Sequence, residues 1–177
     1  MSEVVGVRWG GVKANGDFIF IETWSGYRSA SRDPRSVQYL FDVDASNEAL
    51  GAALVEVLAH SRFVLPAPRT DVLIHPEVTF DADLYDYKND IERYAEWTKA
   101  LMENYGYKTK RALFKDMKSC EIEEREGMII IGPSHHEKLE AWGREKGDGI
   151  EDVVIATSSS HAGIGAALRL AFSRCTG

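Results

Sequence analysis

Hydrophobic and polar positions along the chain change their period several times, which is typical of a fold that mixes strands and helices. Apolar residues cluster at positions 4–9 and 18–21, and the segment between them contains Asn15 and Gly16. Asn-Gly readily adopts the backbone angles of a tight hairpin turn. The sequence therefore predicts two antiparallel strands, followed by a polar loop over residues 25–34.

Three segments have the helical spacing of three and four residues. The first contains Leu50, Leu54 and Leu58, and Ser46 precedes it as a capping residue. The second extends from about residue 83 to residue 105, with acids opposite an apolar seam. That seam consists of Leu84, Tyr87, Ile91, Tyr94, Thr98, Leu101 and Tyr105. The third helix lies near the C-terminus and has Ile164, Leu168, Ala171, Phe172 and Cys175 on one face.

Short apolar runs predict further strands at residues 72–74, 78–80, 111–117, 120–125, 128–131 and 153–156. Glu126 and Gly127 are expected to form the turn between two of them. The polar segment after Pro133 is predicted to be a loop, in which Ser134 caps a short helical turn that reaches Trp142. Because strands and helices do not alternate regularly, we expect an α+β fold. It should be a single domain over residues 1–177, with a mainly antiparallel or mixed central sheet and about three helices packed on it.

The overall charge of the chain indicates which kinds of molecule it can bind. The chain of 177 residues has 28 Asp and Glu against 21 Lys and Arg, which gives a formal net charge of −7. Direct binding of nucleic acid is disfavoured, because proteins that bind phosphate backbones usually present excess positive charge. An acidic surface instead suits a basic protein partner. The sequence contains no long apolar segment, so we expect a cytoplasmic protein that does not enter a membrane.

Acidic residues are concentrated in two parts of the chain. Residues 77–96 contain seven acids against two basic residues, and a second acidic stretch follows residue 120. Such runs are often solvated faces, and the alternative is that they contact a basic partner. The candidate contacts are Asp83, Asp86, Asp90, Glu121, Glu123 and Glu124.

Few residue patterns in the chain point to catalysis or ligand binding. His135 and His136 are adjacent and lack the spacing of a metal-binding pair, so no metal site is predicted. Residues 158–165 combine serines, a histidine and two glycines at a predicted strand-to-helix turn. Ser159, Ser160 and His161 could hold an anion there, or the segment could be a simple helix cap. Cys120 and Cys175 lack the spacing of a zinc or redox motif and are expected to be buried thiols.

Several segments together resemble the CdiI-type immunity proteins of bacterial contact-dependent growth inhibition systems. They are RSASRDP at residues 28–34, LGAAL at 50–54, SR at 61–62, YGYKTK at 105–110, LFKDMK at 113–118, PS at 133–134, EKL at 137–139 and IGAALRLA at 164–171. None of these segments is a catalytic signature.

The resemblance implies an antitoxin that is not an enzyme and needs no cofactor. It implies a 1:1 complex with the C-terminal toxin domain of a cognate effector, commonly a nuclease, whose activity the antitoxin blocks. A nuclease must itself be basic to hold nucleic acid, which agrees with the acidic charge of this chain. The alternative function is a small enzyme or an anion- or nucleotide-binding protein that uses residues 158–165.

Overall fold

The computed structural model describes residues 6–177, and a seven-stranded sheet is the centre of that part of the chain. The elements in chain order are β1 (Arg8–Ala14), β2 (Phe18–Gly26), β3 (Ala30–Arg32), β4 (Gln38–Asp42), α1 (Asn47–Ala59), β5 (Val64–Leu65), β6 (Thr79–Phe80), α2 (Tyr87–Tyr105), α3 (Lys110–Phe114), β7 (Lys118–Arg125), β8 (Met128–Pro133), β9 (His135–Lys138), β10 (Ala141–Gly143), β11 (Val153–Ala156) and α4 (His161–Arg174). A 3-10 turn at Ala82–Tyr85 precedes α2.

The strand pairs of the central sheet are all antiparallel. The order is β11-β8-β7-β1-β2, and both β3 and β4 pair with β2 beyond it. Short pairs form outside this sheet, where β9 meets β10 and β5 meets β6. The predicted α+β class with a mainly antiparallel sheet is confirmed.

One face of the sheet is covered by α1 and α4, and it holds the larger part of the core. Val12 and Ile21 from the first hairpin pack there with Ile122 and Ile131 from β7 and β8. The two helices touch each other closely at Gly51, where a Cβ atom would lie 1.8 Å from the His161 carbonyl oxygen. Only glycine permits this approach, so the sequence directly sets how α1 and α4 pack.

The opposite face is covered only in part, by α2, α3 and the β9–β10 pair. Phe18 and Phe20 of β2 pack there against Leu101, Phe114 and Trp97. The middle of this face, over β1, β7 and β8, carries no helix among residues 6–177. No helix in the same range is both long enough and apolar enough to cross a membrane.

Most of the strongly periodic elements form as predicted. Ser46 caps α1 by accepting a hydrogen bond from the Ala49 N–H, and α4 buries the predicted apolar face. The first hairpin turns at Asn15, whose side-chain oxygen accepts from the Asp17 and Phe18 N–H groups. The turn between β7 and β8 lies at Glu126 and Gly127, as expected.

Several boundaries predicted in the first half of the chain are wrong. The first strand spans Arg8–Ala14 and not residues 4–9, of which residues 4 and 5 lie outside the described part. The predicted loop at residues 25–34 contains β3, which pairs with the end of β2. Residues 72–74 form no strand, since Leu73 is 66% exposed and finds no partner strand. Of residues 78–80, only Thr79–Phe80 pairs, with β5.

Two further corrections concern the second half of the chain. The predicted strand at residues 111–117 is instead α3, because Thr109 caps it and Leu113 and Phe114 point into the core. The predicted helical turn after Ser134 is instead the β9–β10 pair, where Trp142 stacks on His136 at 4.8 Å.

The predicted helix over residues 83–105 is interrupted at Asp86 and begins at Tyr87. Leu84, the first residue of the predicted apolar seam, is buried in the preceding 3-10 turn. Within α2 the first seam residues face solvent, with Tyr87 75% exposed and Ile91 52% exposed, and only later ones such as Leu101 are buried. The seam within α2 therefore serves as core only in the second half of the helix.

Candidate functional site

A cleft of about 620 Å³ lies on the uncovered middle of the second sheet face. Its floor is built by β1, β7 and β8, one wall by the turn between β2 and β3, and the other wall by β10 and the segment after it. The Trp24 ring packs directly on the backbone of the floor at Gly11. A Cβ atom at Gly11 would lie 2.4 Å from that ring, so a larger residue there would displace it. The main lining side chains are Trp9, Lys13, Trp24, Arg28, Glu121 and Trp142.

Lys13 is a largely enclosed cation at one end of the cleft floor. Its Nζ donates a hydrogen bond to Ser119 Oγ at 2.7 Å and lies 3.9 Å from the centre of a Trp142 ring. Burial lowers the pKa of Lys13 to about 8, and the nearby carboxylates of Glu22 and Glu121 oppose that change only in part. The cleft therefore contains an amine that can change charge near neutral pH.

A buried ion pair lies between the cleft and α2. Glu22 Oε2 lies 2.5 Å from Arg32 Nε, and Glu22 Oε1 accepts a hydrogen bond from Trp24 Nε1 at 3.0 Å. The Arg32 guanidinium lies 4.7 Å from the centre of a Trp97 ring on α2. Burial raises the pKa of Glu22, and the nearby Arg32 charge counteracts part of that rise. These contacts fix the orientation of Trp24, the side chain that forms the edge of the cleft.

The opposite wall is held by Arg144. Its guanidinium bonds Asp148 at 3.0 Å, Asp152 at 2.9 Å and the Pro133 carbonyl oxygen at 3.1 Å, and it also reaches the Ile150 carbonyl oxygen. One side chain thus ties the segment between β10 and β11 to the end of β8. The cleft has two walls whose positions are set by charged hydrogen bonds.

The predicted acidic contacts on β7 separate between its two faces. Glu121 and Glu123 line the cleft, and Glu123 is paired with Arg125 at 2.5 Å. Glu124 points to the other side, because side chains alternate along a strand, and it lines a separate groove with Arg8 and Arg62. Two of these three acids therefore lie in the cleft, and the third lies outside it.

The predicted contacts near α2 form a third location. Asp83 lies 3.2 Å from Arg35, Asp86 caps α2 by accepting from the Lys88 N–H, and Asp90 lies 3.7 Å from Arg93. These acids lie within four positions of the exposed Tyr87 in sequence and, unlike Glu121 and Glu123, do not line the cleft.

The predicted anion site at residues 158–165 has its polar groups engaged in local structure. Ser160 Oγ accepts a hydrogen bond from the Gly163 N–H at 3.1 Å, which caps α4. The Ser159 N–H donates to the Ala156 carbonyl oxygen, and His161 is exposed. The cap is observed, and anion binding stays a prediction. Within residues 6–177 no group of three or more His, Cys, Asp or Glu residues could hold a metal ion.

Lys13, Trp24 and Trp142 are cleft residues that the sequence analysis missed. Strand alternation assigns Lys13 to the face opposite Val12, but it does not indicate that Trp142, more than a hundred positions later, covers that face. Lys13 and Trp142 come into contact only in the tertiary fold.

Comparison with known families and curated proteins gives a consistent result. A family model described as CdiI, CDI immunity protein, matches residues 8–175. The chain is 56% identical to the immunity protein CdiI-YPIII of Yersinia pseudotuberculosis serotype O:3 (strain YPIII) over 177 residues, which is 100% of both chains.

Solved structures show the same likeness. The CdiA-CT/CdiI toxin and immunity complex from Yersinia pseudotuberculosis contains a chain with 56% identity and a TM-score of 0.93, covering 98% of this chain and 100% of that one. A protein of unknown function from Neisseria meningitidis has 38% identity and a TM-score of 0.80, covering 99% of each chain.

Proposed function

Because the chain belongs to the CdiI family of CDI immunity proteins, we propose that it binds and neutralises a cognate toxin domain of the CdiA-CT type. The observation that carries the proposal is the 56% identity and TM-score of 0.93 to the chain from a CdiA-CT/CdiI toxin and immunity complex. In this proposal the protein acts in the cytoplasm as a 1:1 inhibitor and not as an enzyme.

The proposed toxin is a basic nuclease. The net charge of −7 supports this, since a protein that binds nucleic acid usually presents a positive surface to its substrate. Acids on the inhibitor then attract that surface over a distance, which raises the association rate more than it raises the affinity.

We place the contacts at the six predicted acids, Asp83, Asp86, Asp90, Glu121, Glu123 and Glu124. Glu121 and Glu123 sit where a partner segment that entered the cleft would meet them. Asp83, Asp86 and Asp90 are close in sequence to the exposed Tyr87, and aromatic side chains are enriched in binding surfaces. Glu124 lines the separate groove that also contains Arg8 and Arg62.

The test compares two triple variants that remove charge without changing side-chain shape. One is Asp83→Asn, Asp86→Asn and Asp90→Asn, in which Asn at position 86 can still cap α2. The other is Glu121→Gln, Glu123→Gln and Glu124→Gln. A matched control, Asp44→Asn with Glu48→Gln and Glu56→Gln, removes three exposed acids on or before α1, which covers the other sheet face.

Binding is measured by titration calorimetry and by association kinetics against the C-terminal toxin domain encoded immediately upstream, together with growth rescue. We expect 1:1 binding with rescue for the parent protein and a fall of about tenfold in association rate at low salt for each acidic triple. An association rate that is unchanged in both triples would refute the interface, and absence of binding by the parent protein would refute the toxin partner. Cleavage of plasmid DNA and of transfer RNA by the free toxin tests the nuclease assignment.

A further inference from the structure

The fold brings together the two cysteines of the chain, which are 55 positions apart in sequence. The Sγ atoms of Cys120 and Cys175 lie 3.8 Å apart. Cys120 is on β7 and points into the core under α4, whereas Cys175 is the residue that ends α4. The spacing of the cysteines along the chain gives no sign of this pair, and the contact belongs to no part of the toxin-binding proposal.

The position of Cys175 is fixed by the backbone on both sides. Its N–H donates to the Phe172 carbonyl oxygen, and the next N–H, of Thr176, donates to the Ser134 carbonyl oxygen. The Thr176 carbonyl oxygen in turn accepts from the His136 N–H at 2.8 Å. The C-terminal segment is therefore held beside β9, and the close approach of the two thiols does not depend on a free chain end.

We propose that Cys120 and Cys175 are a redox modification site, at which a hydroperoxide converts the two thiols into an intramolecular disulfide. A disulfide bond is about 2.0 Å long, so the sulfur atoms must approach by less than about 2 Å. Side-chain rotation at a core thiol and at a residue just beyond a helix can supply that movement.

The reaction has two steps and needs no group other than the oxidant. The Cys175 thiolate attacks the hydroperoxide, its sulfur is oxidised by two electrons to a sulfenic acid, and the O–O bond breaks to release water or an alcohol after proton uptake. The Cys120 thiol then attacks the Cys175 sulfur, the S–S bond forms, and the sulfenic oxygen leaves as water with the Cys120 proton. Two thiols and one hydroperoxide therefore give one disulfide.

The surroundings support this order of events. Cys175 lines a small surface cavity of about 160 Å³ together with Lys118 and His136, so a small oxidant can reach it, whereas Cys120 is fully buried. The hydrogen bond from Cys120 is the main cause that lowers the pKa of Cys175, with a smaller contribution from Lys118. The same hydrogen bond and burial raise the pKa of Cys120. The thiolate is the reactive form, so Cys175 attacks the oxidant first, and Cys120 then attacks the oxidised Cys175 sulfur.

The test treats the purified reduced protein with hydrogen peroxide and measures intact mass and peptide masses. We expect the mass to fall by two hydrogen atoms, a cross-linked peptide pair containing positions 120 and 175, and full reversal by dithiothreitol. The cross-link should also raise Tm by several degrees, since it joins residues far apart in the unfolded chain.

Two variants separate the roles of the thiols. Cys175→Ala should leave the mass unchanged at the same peroxide dose, and Cys120→Ala should gain oxygen at position 175 without an internal cross-link. Oxygen addition to the parent protein without an internal disulfide, or disulfides only between molecules, would overturn the proposal. Since the parent protein itself gives the deciding mass, poor folding of a variant does not weaken the test, and the toxin plays no part in it.

Discussion

Lys13 should make the stability of the protein depend on pH in a way that one substitution removes. The folded chain holds this amine under Trp142, where its pKa is about 8 against 10.5 for an ordinary lysine. Each pKa unit corresponds to about 1.4 kcal/mol, so the charged form costs about 3 kcal/mol of folding free energy at neutral pH.

The sign follows from the proton balance. Between about pH 8 and 10.5 the unfolded chain keeps the proton on Lys13 and the folded chain has released it. The unfolded state then binds more protons, so the free energy of unfolding rises with pH. Integration from about pH 7 to about pH 9.5 gives a gain of about 2 kcal/mol from this group alone.

The assay is urea unfolding, followed by tryptophan fluorescence, of the parent protein and of Lys13→Met at several pH values in that range. Methionine keeps a similar volume without the charge. Other titrating groups, including Cys175 and Tyr107, are present in both proteins and cancel in the difference. The parent protein should therefore gain about 2 kcal/mol relative to Lys13→Met as pH rises.

The matched control is Lys99→Met, which removes the same charge from a side chain that is 78% exposed. The free energy of unfolding of Lys99→Met should differ from that of the parent protein by a constant amount at all pH values. If the curve of Lys13→Met is also parallel to the parent curve, the amine is not desolvated and the description of the cleft floor is incorrect.

Two further substitutions test the contacts around the cleft and the first strands. Gly11→Ala should cost about 1–3 kcal/mol in urea unfolding, because its Cβ would overlap the Trp24 ring, whereas Gly16→Ala, with no atom within 4 Å, should change stability little. Asp33→Asn should cost about 2–3 kcal/mol at neutral pH, since it breaks the buried side of a pair with the partly exposed Arg62. Burial alone would raise the pKa of Asp33, but hydrogen bonds led by the one from Arg62 outweigh it and lower the pKa below 3.8. The cost should therefore shrink in unfolding curves as pH falls below 3.8 and Asp33 takes up a proton.

Elements with long periodic patterns could be predicted from the sequence because local signals and core burial agree. In α1 and α4, cap residues and apolar faces both point to the observed helix. The five-residue α3 is too short for a period to appear, and its Leu113 and Phe114 are adjacent, which is as compatible with a strand as with a helix. β4 was not predicted, although Tyr39 and Phe41 alternate with more exposed neighbours in it.

The candidate site depends on contacts between distant parts of the chain, which the sequence pattern does not contain. The β9–β10 pair has little apolar character of its own and is held by the stacking of Trp142 on His136 and by the C-terminal Thr176. The Cys120–Cys175 contact has the same origin, since it requires the end of α4 to reach β7. Local propensity carries no information about such pairs.

The apolar core lies on one face of the sheet and the cleft on the other, so mutations can test stability and binding separately. The core residues under α1 and α4 are apolar and close-packed, so substitutions of these residues act on stability. On the cleft face, Lys13 is buried at a cost to stability, whereas Glu121 is exposed and its neutralisation should change stability by less than about 0.5 kcal/mol. A toxin-binding defect in the Glu121, Glu123 and Glu124 variant with an unchanged unfolding curve would therefore locate the effect in the complex and not in the fold.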